Sequence, residues 1–168
     1  GVHFLSEEGT RQYEETRKSV CSFINAKNTS EIIFTKGTTE SINLVAQSWG
    51  INFLKTDDVI LLSTLEHHSN IVPWQLTAQK VGASVVEIPI TREGDIDLVA
   101  YTKLLTQYAN KVKMVAITHI SNGIGTVNPI KKMIDLAHQA GALFLVDGAQ
   151  AIAHTPVDVL KLDCDFYV

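Results

Sequence analysis

At 168 residues, 45% of them hydrophobic, the chain is long enough to bury one sizeable core without disulfide or metal staples. Its 14 Lys and Arg against 18 Asp and Glu give a formal net charge of -4, which leaves no broad basic field for a phosphate backbone and excludes nucleic acid as an expected partner. No apolar run approaches the ~20 residues of a membrane span, and the opening "GVHFLSEEGTRQYEETRK" is charged where a signal peptide is apolar, so a cytoplasmic chain of one domain that meets no membrane is expected.

The opening segment, about residues 6 to 27, reads as a helix packed against the flank of the domain. Short β-branched or apolar runs then recur at "EIIFT" (31–35), "DVILLS" (58–63), "SVVEIP" (84–89), "KMVAIT" (113–118), "ALFLVD" (142–147) and "DFYV" (165–168). Most are continuously apolar, as strands covered on both faces are. Helical patterns fill the gaps. "TTESINLVAQSWG" puts Ile42, Val45 and Trp49 on one face, "SNIVPWQLTAQKVG" carries Pro73 in its first turn, "LVAYTKLLTQY" follows a turn at Gly94, and "PIKKMIDLAHQAG" opens on a proline and closes on Gly141. Strand-helix alternation predicts an α/β fold: a mainly parallel, doubly wound sheet with helices on both faces and right-handed crossovers.

Ligands in such sheets bind outside the carboxyl ends of the strands. The residues found there are "KGTTES", "TLEHHSN", "HISNGIGT" and "DGAQA". "GTTES" brings a glycine and two hydroxyls to a helix start, which suits either an ordinary cap or a bound phosphate. Neither GxxxxGK[ST] nor GxGxxG spacing is present, which disfavours a nucleoside triphosphate or a dinucleotide. Adjacent histidines in "EHHSN" point in different directions on a helix, unlike zinc ligands at i and i+4, so no metal site is expected; His67 or His68 could instead stack on a flat ring. Asp147 ends its strand, so its carboxylate points into the crevice, where a charge needs a cationic partner. A protonated ring nitrogen would serve, as would a bond to the neighbouring loop. Gln150 is placed to donate to a ring oxygen. Cys21 and Cys164 lack CxxC spacing and read as packing residues, and "NTS" at Asn28 is too short a pattern to signify glycosylation here.

In order, "GTTESINLVAQSWG", "EHHSNIVPWQ", "HISNGIGTVNPI" and "VDGAQAIAHTPVDVLKLDCDFYV" closely resemble the cysteine desulfurase and selenocysteine lyase family, pyridoxal-phosphate enzymes of the class V, fold-type I group. The likeness runs from about Gly1 to Val168. It implies that Thr38 and Thr39 hold the cofactor phosphate, His67 stacks on the pyridine ring and assists catalysis, Asp147 pairs with the ring nitrogen, Gln150 bonds the phenolic oxygen, and Asn122 lies beside that oxygen and the substrate carboxylate. It also implies a homodimer, a substrate of L-cysteine or L-selenocysteine, a sulfur-acceptor protein for iron-sulfur cluster assembly, and a sheet of order 3-2-4-5-6-7-1 with "EIIFT" first.

In the family, the strand matching "CDFYV" runs on towards the lysine that forms a Schiff base with the cofactor. That lysine, the cysteine that receives sulfur as a persulfide, and the arginine that grips the substrate carboxylate are expected beyond Val168. Lys161, in "DVLKLD", reads as a solvated helix end. Residues 1–168 are therefore expected to be part of a large cofactor-binding domain, inactive alone and prone to associate through an exposed sheet edge. The resemblance leaves open another class V enzyme, an aminotransferase or a kynureninase-like hydrolase, and a truncated relic without catalysis.

Overall fold

In the computed structural model, which describes residues 2–168, five strands form one all-parallel sheet. They are β1 (Val59–Ser63), β2 (Ser84–Ile88), β3 (Val112–Thr118), β4 (Leu143–Asp147) and β5 (Phe166–Tyr167), in the order β2-β1-β3-β4-β5. That order is the one the resemblance implies for its second to sixth strands. Helices α1 (Val2–Phe23), α2 (Thr38–Val45), α3 (Ile51–Phe53), α4 (Val72–Val81), α5 (Leu98–Gln107), α6 (Ile130–Gln139) and α7 (Val159–Leu162) complete the element list. A π-helical turn at Ala46–Gly50 joins α2 to α3.

Side-chain alternation along the strands builds two cores. Val59, Leu61, Val115, Ile117, Phe144 and Val146 pack with Tyr101 and Leu105 of α5 and with Met133, Ile134 and Ala137 of α6. Ile60, Leu62, Met114, Ala116 and Leu145 pack on the other face with Ile42 of α2 and with Trp74 and Ala78 of α4. Both faces are covered, which is why the strands read as unbroken apolar runs. Fully burying a side chain such as Phe144 contributes roughly 1.5–3 kcal/mol. Ile42, Val45 and Trp49 share the second core as the helical spacing predicts.

Two expectations fail. "EIIFT" is not a strand: Thr29–Glu31 form a 3-10 turn and residues 32–35 follow without ladder pairing. A β-branched run needs a neighbour to hold it in a sheet, and here Ile33 is 67% exposed. A cleft separates Ile33 and Thr35 from Phe166, Tyr167 and Val168 at the β5 edge. The first helix runs over Val2–Phe23, starting and ending before the predicted limits, and most of its length is exposed and not packed against the flank of the domain. Its charged residues pair along its own surface, Arg11 bridging Glu8 and Glu15. Its tertiary anchor is Arg17, which donates to the Ile32 carbonyl and sits 5.0 Å from the ring centroids of both Tyr13 and Phe34. Among the described residues no helix is long and apolar enough to cross a membrane.

Candidate active site

Strand alternation decides which face the terminal residues serve. Leu145 lies in the α2/α4 core, so Asp147, two residues on, projects to that face at the carboxyl end of β4. Thr118 is its register partner at the end of β3. The start of α2 and the loop after β1 reach the same place. Thr38, Thr39, His67, Ser69, Thr118, Asn122, Asp147, Ala149 and Gln150 together line a pocket of about 220 Å³. All six residues predicted from the sequence are therefore brought together, and His67 is on this wall whereas His68 is not.

Each side chain is held by local chemistry. Gly37 caps α2 with φ of +155° and ψ of 175°, a conformation nearly confined to glycine. No side chain caps this helix end. Glu40 reaches back to the Lys36 amide, and Thr38 and Thr39 of the first turn, where helix amides lack intrahelical acceptors, line the pocket. After β1 the chain turns through Glu66 into a 3-10 turn at His68–Asn70. His67 Nδ1 accepts from the Ser69 amide at 3.2 Å and lies 2.9 Å from the Ser69 hydroxyl. Since the amide can only donate, the neutral ring carries its proton on Nε2.

Asp147 is 5% exposed. Its Oδ1 accepts from the Ala149 amide at 3.1 Å, so the loop bond weighed from the sequence does exist, but it occupies one oxygen only. Among the described residues no cation forms an ion pair with it. Burial raises its carboxyl above the ordinary aspartate value, opposed by the Ala149 amide and by the nearby His67. A buried carboxylate with an unused oxygen on a pocket wall suits a positively charged ligand atom.

Beneath the pocket lies a group that the strand-end rule passed over. Glu66, 8% exposed, accepts from the Ser63 hydroxyl (2.5 Å), the Asn70 amide group (2.7 Å) and the Thr118 backbone amide (3.1 Å). Burial pushes its carboxyl up to about 7 against those three bonds, with the Asp147 charge adding a little. Ser69, Thr118 and Ala149 also went unnamed. Thr118 ends its strand as Asp147 does, so the same rule applied to β3 would have found it.

Other reactive groups stand apart. Cys21 is buried, with its thiol on the Ala26 carbonyl. Cys164 is half-buried, and burial pushes its thiol up to about 12. The Lys161 side chain is 85% exposed, paired with Asp158 at 3.3 Å, and is not a lining residue of the pocket. Among the described residues no three His, Cys, Asp or Glu side chains gather as metal ligands would.

The whole chain, residues 1–168, matches the family model described as aminotransferase class-V. The chain belongs to that family. It is 51% identical over all 168 residues to the cysteine desulfurase of Escherichia coli strain K12 / DH10B and covers 41% of that protein. Among solved structures it is similar to the cysteine desulfurase CsdA, in its S-sulfonic acid form, from Escherichia coli, with a TM-score of 0.87 and 39% identity, covering 96% of this chain and 40% of that one. The apo cysteine desulfurase of Thermococcus onnurineus NA1 gives a TM-score of 0.91 and 41% identity, over 99% of this chain and 40% of the other. A C-DES mutant with glycine covalently linked to its PLP cofactor shares the fold at 24% identity and a TM-score of 0.78. The chain thus spans about two fifths of the length of the curated relatives it matches.

Proposed function

We propose that residues 1–168 are part of the large domain of a pyridoxal-phosphate-dependent cysteine desulfurase, and that the pocket at the carboxyl ends of β3 and β4 is its cofactor site. The observation that carries this reading is the convergence of Thr38, Thr39, His67, Asn122, Asp147 and Gln150 on one pocket of about 220 Å³. The residues fit the group. The uncapped start of α2 offers amides and hydroxyls to a phosphate, the exposed His67 ring offers a flat face, and the buried Asp147 offers a carboxylate oxygen to a protonated ring nitrogen. Gln150 and Asn122 would donate to the phenolic oxygen, and Asn122 would also face the substrate carboxylate. When bound, pyridoxal phosphate supplies the electron sink for breaking bonds at the amino-acid α-carbon and beyond.

Asp147 keeps that sink effective by holding the proton on the ring nitrogen, and its burial keeps water from competing for it. The whole protein would convert L-cysteine to alanine and pass the sulfur, as an enzyme persulfide, to an acceptor protein; from L-selenocysteine it would release selenium with the alanine. Its work as a homodimer in the cytoplasm belongs to the same reading. The persulfide requires a thiolate; the Cys164 thiol, held near 12, does not supply one at neutral pH, and Cys21 is buried and not a lining residue of the pocket. Lys161 is equally remote from the pocket. Residues 1–168 on their own therefore bind the cofactor and do not turn over.

Calorimetric titration of the chain with pyridoxal phosphate, and with pyridoxal lacking the phosphate, tests the site. Saturable binding of the first, weakened at least about tenfold by Thr38→Ala with Thr39→Ala and by loss of the phosphate, is expected from removing charge-assisted bonds. Equal affinity for both ligands would overturn the assignment. For the whole protein, release of alanine from L-cysteine without any 2-oxo acid supports desulfuration, whereas a strict need for a 2-oxo acid would make it an aminotransferase.

A further inference from the structure

We propose that Glu66 is a positioning residue of this pocket: its buried carboxylate joins the end of β1 to the end of β3 and sets where His67 and Thr118 stand. The functional meaning depends on the pyridoxal phosphate reading above, but the geometry does not.

Donor chemistry dictates the orientation of the whole cluster. The Trp74 indole can only donate, and it donates to Asn70 Oδ1 at 3.0 Å. The Asn70 nitrogen is therefore the atom turned towards Glu66 Oε2, at 2.7 Å. On the other oxygen, the Thr118 backbone amide is again a fixed donor, at 3.1 Å. Only Ser63, at 2.5 Å, has a hydroxyl free to switch roles. The position thus demands acceptors at both oxygens. Asn70 and Trp74 are fully buried and Glu66 nearly so, so no solvent can stand in for a lost partner.

The cluster bears on the pocket through three links. The β1–β3 pairing ends at Leu62 with Ala116, and the Thr118 amide two residues later is taken up by the carboxylate. Thr118 is also the register partner of Asp147, and the next amide, His119, donates to the Asp147 carbonyl at 2.8 Å. Finally, Glu66 immediately precedes His67, whose ring is held by Ser69 inside the 3-10 turn that Asn70 closes. One carboxylate therefore supports the His67 wall and the Thr118–Asp147 floor together.

Glu66→Gln is the direct test, because it keeps the size and changes only the donors. Whichever way the new amide turns, its nitrogen meets the Asn70 nitrogen or the Thr118 amide. Adding Asn70→Asp restores the pattern, since the glutamine nitrogen then donates to the aspartate while the indole keeps an acceptor. In the ligand-free chain, Glu66→Gln is expected to move the backbone amide resonances of Ser69, Thr118 and Ala149, and to lower pyridoxal phosphate affinity about tenfold or more. The double variant is expected to return both readouts towards the original. If Glu66→Gln leaves resonances and affinity unchanged, or the double variant restores neither, the positioning role is wrong. Should Glu66→Gln fail to fold, Ser63→Ala removes the hydroxyl that donates to Glu66 and accepts from the Leu65 amide at 3.2 Å, and must still shift the Thr118 amide; an unmoved amide overturns the proposal. If the original chain takes up no pyridoxal phosphate while the amides move and are restored as expected, the cofactor reading fails and the positioning role stands.

Discussion

Glu66 also makes the stability of the fold depend on pH in a direction that can be worked out. Its carboxyl moves from an ordinary 4.5 to about 7 in the folded chain, chiefly through burial. Between those values the folded state binds a proton that the unfolded state releases, so the protonated group's stabilisation is fully present below about 4.5 and is lost as pH rises through about 7. At about 1.4 kcal/mol for each tenfold change in proton affinity, the loss is about 3 kcal/mol. For a chain of this length that is a fall of roughly 6–12 °C in melting temperature. The titratable groups facing the cluster, Asp147 and His67, remain in a Glu66→Gln chain, as does His119, whose lowered value acts in the opposite direction. Urea unfolding of both chains from about pH 5 to about pH 8 isolates the glutamate: the original chain should lose about 2.5 kcal/mol relative to the variant across this range. Parallel pH profiles for the two chains would refute the reasoning.

Three other outcomes follow from particular contacts. With its thiol held near 12 against an ordinary 9.0, Cys164 should carry roughly a thousandfold less thiolate at pH 8 than an unperturbed thiol and be alkylated markedly more slowly; mass mapping that finds it labelled as fast in the native as in the denatured chain would contradict this. A methyl on Gly148 would overlap the Tyr167 ring, whose hydroxyl meets His119 Nδ1 at 3.1 Å, so Gly148→Ala should cost about 1–3 kcal/mol, and much less in a Tyr167→Ala background. Simple additivity in that cycle would rule the clash out. Gly37→Ala strains the start of α2 without meeting any neighbour, so it should weaken pyridoxal phosphate binding while shifting the melting temperature by only a few degrees; unchanged affinity would dissociate the α2 start from the site.

The sheet was legible because burial on both faces writes itself into the chain as unbroken apolar runs. All five strands lie within about two residues of their predicted limits, and the residues just after them were sought at the strand ends for a topological reason. "EIIFT" misled because its β-branched composition describes what a strand looks like and says nothing of whether a neighbour exists to pair with it. The first helix misled differently. Its alternating charges satisfy each other along the helix surface, so its periodicity does not require packing against the flank of the domain. Asp147 could be read from its place as the last residue of a strand, but Glu66 could not. Its importance comes from Thr118, 52 residues away, and from an indole that fixes the Asn70 amide. Choosing His67 over His68 likewise took either the family likeness or the structure, since only the turn at His68–Asn70 decides which ring faces the pocket.

The proposed cofactor site turns on whether Asp147 holds a proton on the ring nitrogen of bound pyridoxal phosphate. The most direct measurement is the nitrogen-15 resonance of ring-labelled cofactor bound to the chain at pH 8, compared with the Asp147→Asn chain. A protonated ring nitrogen is expected in the first and a deprotonated one in the second. A ring nitrogen that is unprotonated beside Asp147, or equally protonated in both chains, would contradict it.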